Sequence, residues 1–173
     1  MTVIVIVKLF MNTAPFDGIV AFTGHMIDRP TRPQPRFAAS AENKVTREIR
    51  AKLDELDARI GFSSEACGGD IIFLEQILDR GGEIHIVLPY REEIFKENCL
   101  TGFQPEAPSD YWRKRFDRVI DHAKTKVILA ETRATNNAIA SELCNRVYPP
   151  DSAAARYDTL YLLGRSLPRR NVI

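Results

Sequence analysis

The sequence predicts an α/β protein, a three-layer sandwich around a mostly parallel central sheet. Short apolar runs of strand character alternate with amphipathic or buried helical stretches along most of the chain. Two of those runs, Glu83 to Pro89 and Lys126 to Ala130, are apolar almost throughout, the mark of strands covered on both faces in a parallel sheet. Glycine pairs punctuate the strand-to-helix and helix-to-strand joints.

The opening MTVIVIVKLF is apolar, too short to cross a bilayer and without a charged leader or a small-residue cleavage site, so it reads as a strand. Gly18 to Thr23, GIVAFT, is a second strand that stops at Gly24-His25. The segment MIDRPTRPQPRFAAS holds Pro30, Pro33 and Pro35 and is therefore a loop, long enough to lie over a site. From Ser40, Val45, Ile49, Leu53 and Leu56 recur at helical spacing, which predicts an amphipathic helix to about Ala58 with Ser40 as its cap.

Arg59 to Ser63 fills the place of a strand. Gly69 to Arg80 is a helix apolar around most of its circumference, closed by Gly81-Gly82. After the strand Glu83 to Pro89 come a short helix at Arg91 to Asn98, a loop from Thr101 to Pro108, and a helix capped by Ser109 whose Trp112, Phe116, Val119, Ile120 and Ala123 share one face. Lys126 to Ala130 is the next strand and Asn136 to Val147 the next helix. The region 148–173 reads as a helical tail without a further strand, so the domain looks truncated or unusually ended. All 173 residues form one domain, with the core at about 18–147.

With 45% hydrophobic and 27% charged residues the chain is long and apolar enough for a real core, and disorder does not fit. A net charge of +1 provides no field for DNA or an acidic membrane surface. Three widely spaced cysteines, Cys67, Cys99 and Cys144, form neither a disulfide framework nor a zinc site. The expected setting is a reducing cytoplasm, with no metal and no resident cofactor.

Parallel sheets of this kind hold ligands beyond the carboxyl ends of their strands. The groups placed there are Thr23-Gly24-His25, Ser63 to Asp70, Pro89-Tyr90-Arg91 and Glu131 to Asn137. Gly68 and Gly69 let backbone amides approach an anion at a helix N-terminus, or else simply make a tight turn. Thr23, Ser63 and Ser64 offer hydroxyls. Asp70 is either a first-turn helix stabiliser or a ribose acceptor, and Glu75, a carboxylate in an apolar helix, is either a site residue or half of an ion pair with an arginine. His25 is the best placed histidine for ligand contact or proton transfer. Arg29, Arg32 and Arg36 in the proline loop suit phosphate recognition or form a solvated loop. Cys67 lies near a helix start, but no histidine neighbours it in sequence to act as its base, which argues against a cysteine nucleophile.

Three blocks, F-T-G-H-M-I-D-R-P, G-F-S-S-E-A-C-G-G-D-I-I-F-L-E and R-G-G-E-I-H-I-V-L-P, resemble the SLOG superfamily of Rossmann-like domains, in particular the bacterial type found beside tetratricopeptide repeats or nucleotide cyclases. That superfamily includes the Lonely Guy phosphoribohydrolases and the DNA-processing protein A fold. Against the hydrolase signature P-G-G-x-G-T-x-x-E, Gly68, Gly69 and Glu75 match, while Cys67 replaces the proline, Ile71 the third glycine and Ile72 the threonine. The resemblance implies a Rossmann-like sandwich and a nucleotide-type ligand, its phosphate at Gly68-Gly69 with Thr23, Gly24, Ser63, Ser64, Asp70 and Arg36 around it. The lost glycine and threonine favour a sensor over an N-glycosidic hydrolase, in which Glu75 or His25 would be catalytic. A ligand-free assembly module is the third alternative; homodimerisation suits all three, an associated effector suits the sensor, and a tetratricopeptide-repeat partner suits the assembly module.

Overall fold

The computed structural model describes residues 5–11, 18–29, 32–101, 108–131 and 156–162. Its sheet has six strands in the order β5-β4-β3-β2-β1-β6, with β1 at Val5–Met11, β2 at Ile19–Thr23, β3 at Ile60–Ser63, β4 at Glu83–Leu88, β5 at Thr125–Ile128 and β6 at Arg156–Leu162. Strands β2 to β5 are mutually parallel, while β1 runs antiparallel to both β2 and β6. The short link between β1 and β2 leaves no room for the crossover that parallel pairing requires. The protein is thus an α/β domain with a mostly parallel sheet in a Rossmann-like arrangement.

Helix α1 (Glu42–Glu55) joins β2 to β3, α2 (Gly69–Asp79) joins β3 to β4, and α3 (Glu92–Leu100) with α4 (Pro108–Asp121) joins β4 to β5. The chain steps in one direction across the sheet through these links, and right-handed crossovers in one direction stack their helices on one face. Val45, Ile49 and Leu53 of α1, Ile71 to Leu74 and Ile77 of α2, and Trp112, Phe116 and Val119 of α4 share one buried cluster with Val20, Phe22, Ile84, Ile86 and Leu88 of the strands. Helix α2 is the centre of this layer, touching α1, α4 and three strands, which explains why its sequence is apolar nearly all round. Phe73 stacks on Phe22 at 4.7 Å between ring centroids. Gly61 sits under α2 because a β-carbon there would lie 2.9 Å from Ile77. On the opposite face Ala21 and Val87 are buried with Phe62 and Leu129 packed against them. The expected helix at 136–147 lies outside the described residues.

Helix ends differ from expectation in two places. A 3-10 turn at Ala39–Ala41 precedes α1, so Ala41 occupies the cap position and Ser40 makes no capping bond. Helix α4 begins at Pro108, which is suited to a first helical position, so Ser109 lies inside the first turn. The end of α2 follows the glycine rule: Gly81, at φ +71, donates to the Leu78 carbonyl and Gly82 to that of Ile77, a Schellman closure.

The tail is the main correction. Arg156–Leu162 is a strand paired along its length with β1, not a helix, so the sheet has the further strand that the sequence reading denied it. Tyr157, Thr159 and Tyr161 alternate with other residues at the strand period, and all three are good strand formers.

Candidate functional site

Because β2 to β5 are parallel, the segments that follow them emerge along one edge of the sheet. Thr23-Gly24-His25, Ser63 to Asp70, Pro89-Tyr90-Arg91 and Leu129 to Glu131 all lie there. Residues 132–137, expected to join them, fall outside the described set.

The loops after β2 and β3 are zipped together through their backbones. The Ile27 amide donates to the Cys67 carbonyl at 2.8 Å, the Gly69 amide donates to the His25 carbonyl at 3.0 Å, and Met26 and Gly68 form a bridge. Gly68 has φ +142, and a β-carbon on it would meet the His25 oxygen at 2.5 Å and the Ile27 nitrogen at 2.6 Å. On Gly69 it would meet the Gly24 α-carbon at 3.2 Å. The two glycines therefore permit chain-on-chain packing. They do not open a phosphate cradle, since the space in front of them holds the His25–Ile27 backbone and the Gly69 amide already has an acceptor.

Asp70 locks this junction. It is 1% exposed, and its carboxylate accepts from the Gly24 amide at 2.7 Å, the Ser64 hydroxyl at 2.5 Å and the Ala66 amide at 3.2 Å. Burial pushes its pKa up to about 6 against the pull of these bonds. Asp70 is a tether between two loops and is too buried to receive a ribose hydroxyl. The Ser64 hydroxyl is engaged with it, and the buried Ser63 hydroxyl donates to the Phe22 carbonyl at 3.0 Å, so neither serine is the free donor expected. Thr23 and Gly24 are half-buried, and the Gly24 amide belongs to Asp70.

His25 keeps a half-buried ring on this edge. Burial, and then the positive charge of Arg36, lower its pKa from the ordinary value, with Asp28 opposing them. The imidazole is therefore neutral at pH 7. The proline loop beside it is ordered by Asp28, whose carboxylate accepts the amides of Arg36 and Phe37, both at 2.6 Å, and pairs with Arg32 at 3.3 Å. Phe37, fully buried, anchors the loop to the core. Arg32 is thus structural, whereas the guanidinium groups of Arg29 and Arg36 have no hydrogen-bond or ion-pair partner among the described residues.

Glu75 takes the ion-pair alternative. Arg115 of α4 grips its carboxylate at 3.0 and 3.1 Å through Nε and also contacts it through Nη2, while Arg118 stands at 3.9 Å. The same Arg115 reaches Glu42 of α1 at 2.5 Å and lies 4.3 Å from the Trp112 ring centroid. This cluster clamps α1, α2 and α4 together on the helical side and leaves Glu75 no part in chemistry at the strand ends.

Two buried groups escaped the sequence reading. Glu65, after β3, is fully buried at φ +63, and both its carboxyl oxygens lack a partner among the described residues. Burial, followed by the proximity of Cys99 and Glu92, pushes its pKa up to about 10, so the side chain is a neutral acid. Tyr90, after β4, is also buried, its hydroxyl accepting from Asn98 at 3.2 Å. No sequence signal marks Glu65, whereas Tyr90 stood among the strand-end residues without a role. Cys67 is buried beside Cys99, and the contact with that thiol and burial both push its pKa up, which leaves it an unreactive thiol. Among the described residues no cluster of His, Cys, Asp and Glu is arranged to hold a metal ion, and no helix is long and apolar enough to cross a membrane.

The chain matches no family model, no curated protein and no solved structure. What fold and site define is an α/β domain of Rossmann-like build. Its strand-end edge carries a neutral histidine close to Arg36, and Arg29 and Arg36 are unpaired among the described residues.

Proposed function

We propose that the protein is a sensor domain for a nucleotide or nucleotide derivative, bound at the carboxyl edge of the sheet between the proline loop and the segments after β3 and β4. The observation that carries this reading is Arg36, exposed and without a side-chain partner among the described residues, next to the half-buried neutral His25 at the edge where such sheets hold ligands. An arginine held there by its own backbone bond to Asp28 is a preorganised partner for phosphate oxygens. The neutral imidazole is available to a ribose hydroxyl or a base edge. The three sequence blocks that resemble SLOG domains support the same ligand class. Relative to the sequence-based expectation, the phosphate contact moves from the Gly68-Gly69 amides to Arg36 and Arg29.

The hydrolase alternative requires a free carboxylate, and Glu75 is held by Arg115. An output through homodimerisation or an effector partner follows from the sensor reading, as binding of a small ligand has consequences only if another surface registers it.

The test is thermal and chemical denaturation of the whole chain with a panel of nucleoside mono-, di- and triphosphates and cyclic nucleotides. A cognate ligand at a hundredfold excess over its Kd stabilises by about 2.7 kcal/mol. Arg36→Glu, at an exposed side chain, leaves the ligand-free stability unchanged and abolishes the response. Silence across the panel, or a full response in Arg36→Glu, refutes the reading, and release of free base from any nucleotide would restore the hydrolase.

A further inference from the structure

Strand β5 is the last of the sheet on the side away from β6, and among the described residues it pairs on one side only, with β4. All four of its residues are exposed. Of the large apolar side chains exposed among the described residues, Val127 at 41% and Ile128 at 47% are adjacent on this strand. Neighbouring strand residues point to opposite faces of a sheet. Apolar surface is therefore open on both faces of β5 at once, which a helix lying over one face would leave half uncovered and a further strand would close.

The backbone of β5 is open in the same direction. The Leu129 amide donates to the Leu88 carbonyl at 3.0 Å, and Pro89 has no amide to offer β5. With Leu88 in register with Ile128, this phase turns the amides and carbonyls of Thr125 and Val127 towards β4 and those of Lys126 and Ile128 outwards. The outward groups meet no partner among the described residues. Sheet edges are commonly guarded by a charge, but the one charge on β5, Lys126, is drawn aside onto Glu92 at 3.2 Å.

Such an edge is complementary to itself in one register. A two-fold, antiparallel pairing centred on Lys126 sets like charges face to face, and one centred on Ile128 carries the outward groups of Lys126 past the end of the partner strand. Centred on Val127, the outward Lys126 of each copy exchanges both backbone bonds with the outward Ile128 of the other, and the two Val127 side chains meet in the closely spaced, non-hydrogen-bonded position between them. The aliphatic stem of Lys126 then covers the second copy's Ile128. We propose that two copies of this chain join through β5, antiparallel and centred on Val127, so that two six-stranded sheets become one. The pairing is independent of what the strand-end edge binds, and it points the strand-end edges of the two copies in opposite directions.

The test is sedimentation equilibrium of the full chain over a range of concentrations. The wild-type chain forms a dimer, and Val127→Lys, which sets like charges at its centre, raises the dimer Kd by about tenfold. Val127→Cys is a mild change that reports even if lysine is not tolerated. Facing residues of a non-hydrogen-bonded pair have α-carbons about 4.5 Å apart, within disulfide reach, so this variant cross-links two chains under mild oxidation. Wild type and Thr125→Cys, whose position is out of line with its counterpart, do not. A wild-type chain that stays monomeric throughout overturns the proposal and leaves the edge to a strand of another protein. So does a dimer whose Kd is unchanged in Val127→Lys, or cross-linking as strong through Thr125→Cys as through Val127→Cys.

Discussion

Glu65 ties stability to pH in a way that can be worked out in advance. Its pKa rises from 4.5 in the open chain to about 10 in the fold. Between those values the unfolded chain has released the proton and the native one still holds it. Native stability therefore falls as pH rises through this window, by about 1.4 kcal/mol per pH unit, and is fully present only below the unfolded pKa. The interval from about pH 7 to about pH 9 is dominated by Glu65, with a lesser fall near its top from Cys67, whose buried thiol stays protonated while the open chain's ionises. Asp70, raised to about 6, has finished titrating in both states, and His25, lowered from 6.5, is neutral in both. Over those two units the wild-type chain should lose about 2.7 kcal/mol. Glu65→Gln, which keeps shape and polarity but cannot ionise, should keep only the small fall near pH 9 that the Cys67 thiol leaves. Urea unfolding at a series of pH values, with free energies extrapolated to water, measures both. If wild type and Glu65→Gln change in parallel, Glu65 is ionised in the fold and its burial as a neutral acid is refuted.

Other substitutions probe the remaining joints. Gly68→Ala puts a β-carbon 2.5 Å from the His25 oxygen at φ +142 and should destabilise by more than about 2 kcal/mol, whereas Gly81→Ala, at φ +71 with nothing within 4 Å, should cost only about 1 kcal/mol; thermal unfolding of the two variants compares them directly. Arg115→Met strips Glu75 of its buried partner and should cost about 3–5 kcal/mol, and adding Glu75→Gln should recover much of it, as a double-mutant cycle will read. Phe37→Ala removes a fully buried ring and should cost about 3–5 kcal/mol in urea unfolding; it should also raise the Kd for any responding nucleotide, because the loop carrying Arg36 loses its anchor.

The parts of the fold that were legible are those whose burial is written locally. The apolar run of β4, the stripe of α1 and the glycine pair closing α2 each carry their reason within a few residues. β6 was missed because Arg156 and Asp158 interrupt its strand formers with charge, and its pairing with β1 has no local trace. The strand-end edge followed from topology, but the roles on it did not. Asp70 looks like a first-turn acid, and only the distant Gly24 amide reveals the tether. The choice between a site role and an ion pair for Glu75 was settled by Arg115, forty positions away. Glu65 has no signature at all, since left-handed backbone and full burial are properties of the folded loop alone.

The outermost pair of strands joins elements far apart in sequence, β6 lying along all seven residues of β1. During synthesis β1 emerges well before β6 and can dock on β2 early, yet its other side stays an open row of hydrogen-bonding groups until β6 follows. For that period the nascent chain displays a template on which a second copy could register, so a translational pause between β5 and β6 should raise aggregation more than the same pause after β6.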